Sequence, residues 1–154
     1  MYQNFAEDVR LAADPGTVWG ALLDVQRVAS WLSIVRDVKE REPLRRYGAV
    51  LEDRVGPFAM RADLDITVTT DEAARRLQVS ASGEDRQIAS RITASVALAV
   101  SADGQGSTLA VTGRYEITGK IATLGAGAIR KKGEKVLDEF FINVARELAS
   151  AERP

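Results

Sequence analysis

The sequence contains no cysteine and no histidine. The first absence excludes disulfides and thiolate nucleophiles, and the second excludes the Ser-His-Asp arrangement. Together they exclude zinc and non-haem iron sites built on imidazole or sulfur. Any catalysis would fall to carboxylates, lysine, tyrosine or a bound cofactor. Aromatic residues are sparse, at 6%, so few large side chains are on hand to fill an interior. Lys and Arg number 21 against 22 Asp and Glu, a formal net charge of -1, and no global field draws nucleic acid or an acidic ligand. Long apolar runs are missing as well: nothing approaches the roughly 18 residues of a membrane span. The opening "MYQNFAEDVRL" has neither the basic nor the apolar region of a signal peptide. The expectation is a soluble, cytoplasmic protein with one domain over residues 1–154, free to touch a membrane transiently.

What is present reads as strands followed by one long helix. Phe5, Val9 and Leu11 mark a first strand over Gln3 to Leu11. Asp14-Pro15 supplies an N-cap and a proline for the first helical turn, and Val18, Trp19, Leu22 and Leu23 recur at helical spacing. A second short helix is expected through Gln26 to Leu32. From Ile34 to Ile117 the period changes to two. Met60, Ala62, Leu64, Ile66 and Val68, for example, alternate with Arg61, Asp63, Asp65, Thr67 and Thr69. Turns are expected at Tyr47-Gly48, Gly56-Pro57, Asp71-Glu72, Gly83-Glu84-Asp85 and Asp103-Gly104, which gives six further strands. A helix from about Ala122 to Ala151 closes the pattern, with Ile121, Leu124, Ala128, Ile129, Val136, Leu137, Phe140, Phe141, Val144 and Leu148 on one stripe. The order predicts an α+β fold: a curved, seven-stranded antiparallel sheet wrapped around a long C-terminal helix, with two short helices after the first strand.

"ITGKIATLGAG", Ile117 to Gly127, lies between a strand and a helix, where a phosphate loop would sit. It is not a Walker loop, because Lys120 follows the first glycine and Ile121 takes the place of the hydroxyl. Nor is it a dinucleotide fingerprint, since Arg130 stands where the third glycine belongs. The run Gly125, Ala126, Gly127, Ala128 has either of two uses: close packing of helix on sheet, or room for an apolar guest. Ala62, Ala81, Ala94 and Gly113 fall on apolar-parity positions and favour room. Trp19, Trp31, Phe58, Phe140 and Phe141 are the side chains that could fill it instead.

These residues resemble the carbon monoxide dehydrogenase CoxG family within the START-like, helix-grip (SRPBCC, Bet v1-like) superfamily. The likeness is carried by "ADPGTVWGALLD" (Ala13 to Asp24), the Tyr47-Gly48 and Val55-Gly56-Pro57 turns, Gly83 ending a strand, and "GKIATLG" with "KVLDEFF" (Gly119 to Gly125, Lys135 to Phe141). The resemblance implies an incomplete barrel gripping the long helix, a deep apolar pocket and no cofactor. It also implies either a non-catalytic carrier for an elongated hydrophobic molecule, a quinone, lipid or fatty acid, that serves a molybdenum-containing dehydrogenase complex, or an assembly factor for such a complex. Carried over residue by residue, the pocket wall is Leu32, Phe58, Met60, Ala62, Ile92, Ala94, Gly113, Tyr115, Ile121, Leu124, Ala128 and Ile129. "WLSIV" (Trp31 to Val35) replaces the proline-glycine pair of many relatives, so a differently shaped mouth is expected. Many relatives continue into a membrane-tethering extension, whereas this chain ends at Pro154, so transient contact at the inner face of the membrane is expected rather than a permanent anchor.

Three further features stay open at this level. "RKKGEK", Arg130 to Lys135, is either a patch for anionic lipid or the solvated face of the helix. Asp63 and Asp65 share a strand face away from the core and lack the partners of a calcium site. Some helix-grip relatives are cyclases, and Tyr115 with Lys120 would be the pair for such chemistry here.

Overall fold

The computed structural model describes residues 2–151. Met1 and residues 152–154, which the single-domain expectation also spans, lie outside the described residues. Strand β1 (Tyr2–Leu11) leads into helices α1 (Pro15–Leu22) and α2 (Val25–Ala29). Six strands follow: β2 (Val35–Glu42), β3 (Arg46–Val55), β4 (Phe58–Asp71), β5 (Arg76–Asp85), β6 (Ser90–Asp103) and β7 (Gly106–Gly119). A short 3-10 helix (Lys120–Leu124) precedes helix α3 (Ala126–Ala151).

Local chemistry accounts for the first of these elements. The Asp14 carboxylate accepts from the N–H groups of Gly16 at 3.1 Å and Thr17 at 3.4 Å, satisfying donors that the start of α1 leaves free. The Thr17 hydroxyl also donates to Asp14. That hydroxyl, opposed by some desolvation and aided by the backbone N–H groups, holds the Asp14 carboxyl below its ordinary value.

The strands pair in the order β1-β7-β6-β5-β4-β3-β2, every pair antiparallel. Strands β1 and β2 are neighbours in sequence yet occupy opposite edges, so the sheet stays open. Helices α1 and α2 lie in the connection between them. Helix α3 packs most closely on β1, the 3-10 helix and α1. Edge strand β2 is interrupted by register shifts and carries Asp37 at a φ of 54°. With its run "RDVKERE", it offers a poor template for another strand. The expected alternation holds in β4, where Met60, Ala62, Leu64 and Val68 are buried while Arg61, Asp63, Asp65 and Thr67 face solvent.

Four boundaries differ from the sequence reading. Helix α2 ends at Ala29 and not at Leu32, with Ser30 at its C-cap donating its hydroxyl to the Arg27 carbonyl. Tyr47-Gly48 lies inside β3, and the turn falls between Glu42 and Arg46 with Leu44 at a φ of 57°. Gly83-Glu84-Asp85 lies inside β5, and the turn comes later, with Ala89 at a φ of 44°. Gly83 is required for packing: a Cβ there would stand 2.7 Å from Leu64 Cδ2 and 2.9 Å from the Asp63 carbonyl. The long helix starts at Ala126 because Gly125, at a φ of 94°, breaks it from the 3-10 helix.

The interior is divided. One cluster joins α1, Trp31 and the far half of α3 through Val18, Trp19, Leu22, Leu109, Phe140, Val144 and Leu148. A second joins β3, β4, the 3-10 helix and the near end of α3 through Leu51, Val55, Met60, Leu64, Ile117, Ile121 and Ile129.

Candidate functional site

Between the two clusters lies a cavity of about 360 Å³. Its walls come from every layer: Leu51, Asp53 and Val55 of β3, Met60, Leu64, Ile66 and Val68 of β4, and Leu77, Val79 and Ala81 of β5. Beside these stand Ile92, Ala94, Val96 and Leu98 of β6 with Val111, Tyr115 and Ile117 of β7. Phe5, Leu22 and the α2 region (Val25, Val28, Ala29, Leu32) close the sides, with Ile34 and Val35 entering β2. The roof is the segment Ile129, Lys132, Gly133, Val136, Leu137 and Phe140 of α3. Alternation on each strand turns one apolar series inward, and Ala81 and Ala94, paired in register, leave the middle of the sheet low.

Six of the twelve expected wall residues line this space: Leu32, Met60, Ile92, Ala94, Tyr115 and Ile129. The other six lie elsewhere, each for a physical reason. Ile121 is fully buried in the second cluster, its N–H held by Ser90 Oγ at 3.1 Å. Leu124 covers Gly56, where a Cβ would meet its Cδ1 at 3.1 Å. Phe58 packs half-buried on the second cluster, and Ala62 is sealed within that cluster beside Gly83. The gap at Gly113 is taken by the ring of Phe5, whose Cζ would lie 2.8 Å from a Cβ there. Ala128 is exposed, as are Ala126 and Gly127. Ala126 to Ala128 therefore face solvent, and no residue of the run Gly125 to Ala128 lines the cavity. The positive φ of Gly125 sets where the helix begins, and that places the roof about one turn further along.

The glycine that matters to the roof is Gly133. A Cβ at this position would stand 2.1 Å from the Tyr115 hydroxyl and 2.8 Å from its Cζ. The missing side chain lets the ring lie against the helix, where the hydroxyl donates to the Ile129 carbonyl at 3.3 Å. Burial, then the charge of Glu134, push the Tyr115 hydroxyl above its ordinary value of 10.0 against the opposing effect of Arg130. Tyr115 is thus a neutral hydroxyl at physiological pH. Lys120 is exposed and does not line the cavity, so the structure does not bring it to Tyr115.

Sequence reading missed Lys132 and Asp53. Along the cavity wall they are the charged side chains among the described residues. Lys132 Nζ lies 3.0 Å from Asp53 Oδ2. A signal was available for Lys132: it falls three residues after Ile129 and four before Val136, on the apolar stripe. Its neighbours in the cationic run, Arg130, Lys131 and Lys135, are exposed.

The flank of α3 that faces α2 is held by polar contacts. Glu139 Oε1 accepts from the Ser33 N–H at 2.8 Å, and Asn143 Nδ2 donates to the Trp31 carbonyl at 2.9 Å. Near Glu147, Arg27 lies at 3.9 Å and also sits over the Trp31 ring. Asp63 and Asp65 are exposed, and no group of three or more His, Cys, Asp or Glu among the described residues could hold a metal ion. Among the described residues no helix is long and apolar enough to cross a membrane.

Comparison with known proteins places this architecture. A conserved protein from Geobacillus kaustophilus superposes with a TM-score of 0.84 at 18% identity, over 98% of each chain. A START superfamily protein from Mycobacterium smegmatis gives 0.73 at 10% identity, covering 96% of this chain and 98% of its own. The Zhui aromatase/cyclase from Streptomyces sp. R1128 gives 0.68 at 15%, covering 99% and 94%. Identities this low carry the fold alone, which is the START-like helix grip. No curated protein matches the sequence. The family model of CoxG, a carbon monoxide dehydrogenase subunit, matches residues 8–149, and the chain belongs to that family.

Proposed function

We propose that the protein is a non-catalytic carrier that holds an elongated hydrophobic molecule, a quinone or lipid, between the sheet and the Ile129 to Phe140 segment of α3. The observation that carries this reading is the cavity itself: about 360 Å³, walled almost wholly by aliphatic side chains. That volume falls within the roughly 300–1,000 Å³ of small-molecule sites, which are mostly apolar with a few placed polar groups. An apolar cavity gains more from a hydrocarbon than from water, which finds too few partners there. A carrier reading is favoured over a cyclase because Lys120, which a Tyr115-based reaction would need beside it, is exposed and does not line the cavity. Tyr115 instead donates to a backbone carbonyl.

The family description supports service to a carbon monoxide dehydrogenase-type enzyme. A cytoplasmic carrier touching the inner face of the membrane would collect or deliver its cargo there. Native mass spectrometry of freshly purified protein, followed by solvent extraction and lipid analysis, is expected to find a co-purifying quinone or lipid. Added menaquinone is expected to quench Trp31, whose ring packs at 6.0 Å on the cavity residue Phe140. Ala94→Leu fills the space and should abolish quenching while the protein stays folded. A ligand-free wild type that also ignores menaquinone, ubiquinone and fatty acids would refute the carrier.

A further inference from the structure

The polar atoms of the cavity gather at one level. Tyr115 meets α3 at Ile129 and Gly133, and Lys132 reaches from the same turn to Asp53 on β3. The side chains of Lys132 and Asp53 are 29% and 17% exposed respectively, which puts the pair at the edge of the cavity. Beyond it the lining runs through Val79, Val96, Leu98 and Phe140 without another charge. A ligand that buries a tail there leaves its head at the pair.

The charges of this collar cancel. Asp53 is fixed on its strand, its Oδ1 accepting from the Arg54 N–H at 2.8 Å while Oδ2 faces Lys132. An incoming carboxylate finds no unpaired cation along the wall. To pair with Lys132 it must unseat Asp53, and the displaced carboxylate, held by its backbone partner, would stay beside a second negative charge. An uncharged head meets no such obstacle. The ammonium has three donors, so a carbonyl, ester or hydroxyl oxygen can accept one of them with Asp53 still in place.

Resting on the carrier reading, we propose that Asp53 is a specificity-determining residue that reserves the pocket for long-chain amphiphiles with an uncharged, hydrogen-bond-accepting head and excludes fatty-acid anions. The test compares laurate with methyl laurate, which share a tail and differ in the charge of the head. Each displaces the neutral dye Nile red from the full chain at neutral pH, with melting curves to confirm that each variant is folded.

Wild type should prefer the ester by about tenfold or more, and Asp53→Asn should raise the laurate-to-ester affinity ratio by about tenfold. Adding Lys132→Met to Asp53→Asn should cancel that gain. Equal wild-type affinity for the two, or an unmoved ratio in Asp53→Asn, overturns the proposal while ester binding preserves the carrier. Failure of dye and ester alike to bind overturns both.

Discussion

Along α3, Val144 and Leu148 are sealed in the cluster with α1, Trp31 and β7, whereas Val136 and Leu137 are only half-buried and face the cavity. The two stretches share one apolar period, so the helix alone does not distinguish solid from hollow. The surroundings do. Trp19, Trp31 and Phe140 gather at the far end, with Trp31 and Phe140 edge to face, while the near end looks onto Ala81 and Ala94. Both tryptophans stand in the far half, and the near half receives only the smaller rings of Phe58 and Tyr115.

Truncation should expose this contrast most strongly. Leu148 is fully buried, and Leu148→Ala should cost about 2–5 kcal/mol. Val136→Ala, whose methyl groups already border empty space, should cost about 1 kcal/mol. Urea titration of both variants checks the difference, and equal losses would mean that the two halves are packed alike. A smaller effect is expected at Gly133→Ala. The exchange gains helix propensity of about 1 kcal/mol, but the new Cβ must push Tyr115 aside, and overpacking of this kind costs about 1–3 kcal/mol. The melting temperature should therefore fall, and Tyr115→Phe in the same chain should recover part of the loss. A rise in melting temperature would show that the ring moves freely.

The smallest effect concerns pH. The Tyr115 hydroxyl ionises above 10.0 in the folded protein, so the folded state holds this proton more tightly than the unfolded chain. Its contribution to stability is fully present below the unfolded value and is lost as pH rises through the folded one. Tyr115→Phe should lower stability by about 1 kcal/mol at neutral pH. The gap from wild type should narrow in alkaline solution, and a gap that widens there would contradict the assignment.

Much of the fold was legible because its signals are local. Alternation in β4 named the inward residues, and Asp14-Pro15 named the start of α1. The sequence misled where glycine was read as a turn. Gly48 and Gly83 lie within strands, while the actual turns place Leu44 and Ala89 in a left-handed conformation that those residues do not advertise. The site was half legible for a related reason. Periodicity assigns a residue to a face, but how far along the sheet α3 begins depends on Gly125, and a shift of about one turn exchanges Ala128 for Gly133. Asp53 could not be found this way, since its partner is distant in sequence and sat inside a run that reads as solvated.

The contact between Tyr115 and Gly133 also ties two positions together in descent. Ring and backbone share one volume, so a lineage that keeps the phenol at 115 is bound to keep the bare residue at 133. One that trades the phenol for something smaller is released to put a methyl group on the helix. Relatives should therefore vary at these two sites in step, and a sequence carrying both the ring and a bulky residue at 133 marks a descendant whose roof has been raised.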